Sequence, residues 1–262
     1  MNNLYRICVF LFLVVLSYVP FVLNEVLFVI VVILFFPLTH YLVRLVGYGG
    51  LNQLGLRFHK RWGRNLALGF IVGLSFNLVL FVVIYLFMGN RIQGVISVNE
   101  MLVVIVFALV TTSYTAFAEE LLMRGFIYRS LQGLFTIKFI LLFSIVLFVA
   151  YHLPNWGLPL PYWIRYALMG AVFFIVMWKS GSLWMSIGLH WGGNFMFYLL
   201  LTSHGLFPLS TVLFTQDSLK GWLGVVAALL LLITILTHFK LCKRENRVCL
   251  VLDGRTEMKK YQ

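Results

Sequence analysis

Charge is what this sequence has least of. Only 11% of its 262 residues are Asp, Glu, Lys or Arg, and 8 of these are acidic. A soluble domain carries about 25% charged residues, so an ordinary soluble globular protein is excluded. Cysteine is scarce as well: Cys8, Cys242 and Cys249 form no CxxC pair and no disulfide framework. Cys8 lies in an apolar run and is expected to be buried as a small hydrophobe. Cys242 follows the last apolar run, where acylation is conceivable. The 6 prolines mark no linker, and no repeat of fixed period divides the chain. Residues 1–262 therefore read as one domain, with its chemistry concentrated in 112–200.

What is present is apolar. Hydrophobic residues make up 62% of the chain and Phe alone numbers 25, which excludes disorder. The remaining class is an all-α polytopic membrane protein. A membrane span needs about 20 apolar residues. Runs at 7–23, 26–46, 66–88, 101–122, 137–152, 162–178, 183–201 and 222–239 give a bundle of about eight transmembrane helices. Pro20 with Asn24 and Glu25 marks the first turn, and Pro37 is placed to kink the second span. The first run is read as a retained span, because no small-x-small cleavage site follows it.

The net charge of +12 is read as membrane orientation, not as a nucleic-acid footprint. With eight spans the termini share a side. That side carries Arg6, the cluster Arg44, Arg57, Lys60, Arg61 and Arg64, then Arg129, Lys138, Lys179 and the basic tail from Lys240 to Lys260. The opposite side keeps Arg91, Arg165 and Lys220. Both termini are accordingly expected in the cytoplasm, and the short compact chain is placed in a bacterial plasma membrane. The stretch 50–65 mixes apolar and basic residues and is expected along the cytoplasmic interface.

Ionisable groups at membrane depth cost several kcal/mol and default to functional candidates. Glu25, Glu100, Asp217, Glu245, Asp253 and Glu257 sit in loops, at span edges or in the tail. Glu119 and Glu120 lie deep in an apolar segment with Arg124. Neighbouring helical residues are about 100° apart, so the two acids face different ways. Glu120 and Arg124 are i,i+4 and share a face, which pairs them and leaves Glu119 to project elsewhere. Two histidines supply partners: His152 closes one apolar run, and His190 sits inside another with Asn194 one turn on. His40, His59, His204 and His238 look peripheral. With a turn near 132–136, Glu119 and His152 lie roughly 20 and 24 Å from it along antiparallel helices. They meet at similar depth, and His190 lies near the middle of its own span.

Three motifs thus stand in order: Glu119-Glu120-x-x-x-Arg124, Phe148-x-x-x-His152 and His190-x-x-x-Asn194. In this the sequence resembles the CAAX protease and bacteriocin-processing enzyme family, which includes the type II CAAX prenyl endopeptidases. The resemblance covers residues 119–194. It implies an intramembrane endopeptidase in which Glu119 and His152 activate water, while His190 and Asn194 stabilise the oxyanion. Glu120 and Arg124 would hold the helix and tune the site, and Phe148 would orient the His152 ring. No cofactor is favoured. The alternative is a zinc protease with Glu119, His152 and His190 as ligands, although no H-E-x-x-H pair is present. A non-catalytic regulator or immunity protein of the same fold would be expected to lose motif residues, and all are kept. A proton-coupled transporter would use the Glu pair as a relay, but no inverted repeat is visible. Expected partners are the lipid bilayer and a peptide substrate, such as a prenylated C-terminus or a bacteriocin or pheromone precursor; nucleic acid is not among them.

Overall fold

The computed structural model describes residues 3–21, 25–87, 96–153, 157–201 and 218–244. Arg91, His204, Asp217, Cys249 and the tail beyond 244 lie outside the described residues, as do the side chains of 240–244. Among the described residues the architecture is all-helical. Helices α1 (Asn3–Tyr18), α2 (Glu25–Leu45), α3 (Trp62–Phe87) and α4 (Val98–Glu120) come first. Next are α5 (Ile127–Leu131), α6 (Ile137–Tyr151), α7 (Leu160–Ser180), α8 (Trp184–Leu201) and α9 (Ser218–Arg244). The segment Leu121–Phe126 links α4 to α5 as a π-helical turn, so 98–131 is one continuous rod. Eight rods result, matching the eight apolar runs.

Five stretches are long and apolar enough to cross a membrane: Leu27–Leu45, Trp62–Phe87, Val98–Leu131, Leu160–Ser180 and Leu219–Phe239. Helices α1 and α6 are apolar and shorter. The outer surface exposes Leu11, Phe12, Val79, Leu102, Val103 and Leu142, a surface suited to lipid and not to water. Cys8 belongs to this outer surface; it is exposed, not buried as its apolar run suggested. In a bilayer the outer face is as apolar as a core, so a hydrophobic neighbourhood in sequence does not imply burial in protein.

Local signals set the helix ends. Ser97 caps α4: its hydroxyl accepts from Glu100 N at 3.3 Å, and Ser97 N donates to Glu100 Oε2 at 2.9 Å, a reciprocal capping box. Thr136 caps α6 by accepting from Phe139 N at 3.4 Å. Helix α2 runs on through Pro37 from Glu25 to Leu45. The stretch 50–65 is built of two pieces. It holds a short 3-10 turn at Leu51–Leu54 whose Leu54 is buried, then enters α3 at Trp62.

Helix α8 carries the second histidine motif and is set against α3 backbone to backbone. A Cβ on Gly188 would run into the Leu66 carbonyl, and one on Gly192 into the Phe70 carbonyl. Gly69 and Gly73 on α3 are crowded in return by the carbonyls of Met185 and Leu189. Each helix thus presents a G-x-x-x-G stripe. Small residues let helices approach closely in lipid, where packing and not the hydrophobic effect holds them together. This contact fixes the rotation of α8 and so the direction of His190. Gly192→Val should lower the melting temperature in detergent, at the usual overpacking cost of about 1–3 kcal/mol. Gly63→Ala should leave it unchanged, because nothing lies within 4 Å of a Cβ there. Equal melts would show that the helices part without cost.

Candidate active site

The π-turn follows Glu119 and Glu120 directly. It widens the helix by one residue, a feature concentrated at functional sites. Ser144 of α6 donates to the Met123 carbonyl inside this turn at 2.7 Å. Gly125 in the same turn lets the Leu54 carbonyl approach, since a Cβ would collide with it. The widened stretch is therefore clamped from two sides.

Glu120 is fully buried and gathers three partners. Arg124 Nη1 lies 3.1 Å from its Oε1, both side chains at 0% exposure. His190 Nδ1 lies 3.0 Å from the same oxygen, and Ser186 Oγ donates to Oε2. Ser186 also reaches the Phe173 carbonyl at 3.1 Å. Arg124 donates to the Gly170 carbonyl at 3.4 Å, with its guanidinium 4.1 Å from the Phe148 ring centre and 5.2 Å from that of Phe173. One carboxylate thus ties α4, the π-turn and α8 together. Ser186, His190 and Asn194 form an i,i+4 stripe on α8, a spacing that makes Ser186 legible in hindsight.

Glu119, on the neighbouring face, lines a cavity of about 270 Å³ together with Phe148, His152, His190 and Asn194. All four residues expected to react therefore border one space, with Phe148 beside them and Glu120 and Arg124 behind. His190 Nε2 stands 3.9 Å from Glu119 Oε2, within ion-pair reach but beyond a hydrogen bond. No described protein donor satisfies that oxygen, although it is buried. Buried polar atoms without partners are rare and call for a reason.

Both histidines are oriented through Nδ1. His152 Nδ1 lies 2.8 Å from the Phe148 carbonyl. A carbonyl only accepts, so Nδ1 carries the proton, and in the neutral ring Nε2 keeps its lone pair. The ring stacks on Tyr166 at 4.1 Å and meets Phe148 edge-on at 4.7 Å. Phe148 thus orients His152 with its backbone oxygen as well as its ring. His190 Nδ1 faces a carboxylate and likewise donates; its ring stacks on Phe173 at 4.5 Å. Tyr166, Phe173, Arg165 and Asn77 also border the site. The sequence offered no periodic or motif signal for them. Among the described residues, no three His, Cys, Asp or Glu side chains cluster as a metal site would require.

The molecule is a polytopic helical membrane protein that gathers these groups around one cavity. Residues 100–196 match the family model described as type II CAAX prenyl endopeptidase Rce1-like. This stretch carries all three motifs, and it is similar to that family of membrane endopeptidases. No curated protein and no solved structure matches the chain significantly.

Proposed function

We propose that this protein is an intramembrane endopeptidase of the metal-independent glutamate type. It acts on a membrane-associated peptide, such as a prenylated C-terminus or a bacteriocin or pheromone precursor. The observation that carries the reading is the unsatisfied Glu119 Oε2 in the wall of a cavity shared with His152, His190 and Asn194. Glu119 takes a proton from water as that water attacks the scissile carbonyl. His152 presents its Nε2 lone pair, holds the water and relays the proton to the leaving amine.

His190 and Asn194 donate to the oxyanion. Nδ1 of His190 is already committed to Glu120. A donor at Nε2 therefore requires the doubly protonated ring. Helix-borne donors aimed at a developing charge are each worth about 2.7–4 kcal/mol. The charge asymmetry of the chain supports cytoplasmic termini.

One observation favours a second reading. Histidines that bind metal donate their other ring nitrogen to a carboxylate or a carbonyl, and both His152 and His190 do so here. In the zinc form Nε2 of His190 would be a ligand and could not be an oxyanion donor. The test is cleavage of a quenched membrane peptide by chelator-treated protein in bilayers, with the metal content measured alongside. Full activity without metal is expected. Activity that vanishes on chelation and returns with zinc would replace the glutamate mechanism. In cells, a Glu119→Ala strain should accumulate uncut precursors that the parent strain processes.

A further inference from the structure

Tyr18, at the end of α1, carries a hydroxyl that neither the packing nor the chemistry above uses. Helix α1 ends against the two helices that bear Glu119 and His152. Ser17 makes the junction: its carbonyl accepts from the Tyr114 hydroxyl of α4 at 3.3 Å, and its side chain meets the Tyr151 hydroxyl of α6 at 2.9 Å. Ser17 Oγ gives its own hydrogen to the Val14 carbonyl at 2.7 Å, so Tyr151 is the donor to Ser17. The hydroxyls of Tyr114 and Tyr151 thus each have an acceptor. That of Tyr18 does not: its oxygen is buried and has no hydrogen-bond partner among the described residues. The ring stacks on Tyr151 at 4.2 Å, a contact that phenylalanine would make equally well. Burying a hydroxyl without a partner costs stability, so the oxygen calls for a reason beyond packing.

Glu119 supplies that reason. It follows Tyr114 on α4 by about 7.5 Å along the axis. Of the acids, it is the one close enough to act electrostatically on the Tyr18 hydroxyl. Its Oε2 is also buried and lacks a protein donor. A buried donor without an acceptor therefore stands near a buried acceptor without a donor. No direct hydrogen bond joins them, and polar groups just beyond that reach are commonly bridged by water. We propose that Tyr18 is a positioning residue for Glu119: its hydroxyl donates to the carboxylate across one water and fixes the direction in which that carboxylate faces the cavity. One carboxylate oxygen takes the bridge, and the other faces the attacking water. A neutral donor suits a base, because a cation as close as Arg124 is to Glu120 would favour the ionised form too strongly for it to accept a proton. A phenol both donates and accepts, so the bridge serves the carboxylate before proton transfer and the carboxyl after it, and Tyr18 loses no proton. The effect on rate rests on the endopeptidase reading; the bond itself does not.

The probe is the infrared carboxylate band of Glu119 in the full-length protein without peptide, identified as the band that Glu119→Gln removes. Tyr18→Phe keeps the ring on Tyr151 and removes the donor. It should move that band and leave the melting temperature nearly unchanged, since no hydrogen bond to protein is lost. Tyr114→Phe is the contrast: it loses the bond to the Ser17 carbonyl, so it should melt lower and leave the band in place. In bilayers, Tyr18→Phe should lower kcat on a quenched peptide roughly 10- to 100-fold, the worth of a hydrogen bond to a charged group, with KM unchanged. A tyrosine that only packs would leave both the band and kcat as in wild type when changed to phenylalanine, and either result overturns the proposal. A band that moves equally in Tyr18→Phe and Tyr114→Phe reports a general loosening and overturns it too. A band that moves in Tyr18→Phe alone, in a protein whose wild type cleaves no peptide, would instead sink the endopeptidase reading and leave the bond between Tyr18 and Glu119 standing.

Discussion

Glu119→Gln should reduce turnover by at least about 10²–10⁴-fold, the usual contribution of a positioned general base, while the protein still inserts and folds. The substitution keeps the shape of the side chain and removes its ability to take a proton. Stability should change little, because the carboxylate oxygen nearest His190 has no protein donor to lose. His152→Ala should fall as far. It removes the lone pair held toward the cavity by the Phe148 carbonyl, 2.8 Å from Nδ1. Both residues are proposed to serve the same water, so the double variant should be little worse than either single one, as groups acting as a unit are strongly non-additive. The measurement is steady-state kinetics in bilayers with melting curves run in parallel. Multiplying defects would mean that the two act in separate steps. Full activity in either single variant would remove that residue from the chemistry.

The parts of this molecule readable from sequence were those with a strong one-dimensional signature. Eight apolar runs became eight helical rods among the described residues, five of them long and apolar enough to cross a membrane, because the bilayer demands length and hydrophobicity from each span separately. Glu120 and Arg124 were legible as a pair because i,i+4 geometry survives the π-turn, and they stand 3.1 Å apart. The meeting of Glu119 and His152 followed from counting residues to a shared turn. What sequence left hidden depends on the packing of different helices. Glu120 looked committed to Arg124 alone, but α8 brings it His190 and Ser186 as well. The G-x-x-x-G stripes that position α8 were present in the letters, yet their meaning required knowing that α3 faces α8. Arg165 looked like a residual positive charge at a membrane face. Only the cavity shows that it shares a space with Glu119 and His152. Cys8 misled because apolar neighbours in a membrane chain signal lipid as readily as core.

The largest effect on stability is expected at Glu120. Glu120→Ala removes the one acceptor shared by Arg124, His190 and Ser186, all three buried. Arg124 would keep a 3.4 Å hydrogen bond to the Gly170 carbonyl and two aromatic faces, none of which neutralises its charge. Breaking a buried pair in this way costs about 3–5 kcal/mol. Water cannot easily reach the site to repair the loss, since Glu120 and Arg124 both have 0% exposure. Glu120→Gln should be intermediate: the amide oxygen still accepts from one donor, but its NH₂ group faces donors and the negative charge is gone. Arg124→Ala should destabilise comparably, and the double variant Glu120→Ala with Arg124→Ala should recover part of the loss by removing the orphaned charge. Activity should fall in all of these, because His190 loses the partner that fixes its tautomer and its direction. Melting curves in detergent give the order, with Glu119→Ala as the reference that changes a cavity-facing acid and leaves the Glu120–Arg124 pair in place. A Glu120→Ala protein that melts with the Glu119→Ala protein would show that Arg124 is neutralised elsewhere, and the α4–α8 junction would need another explanation.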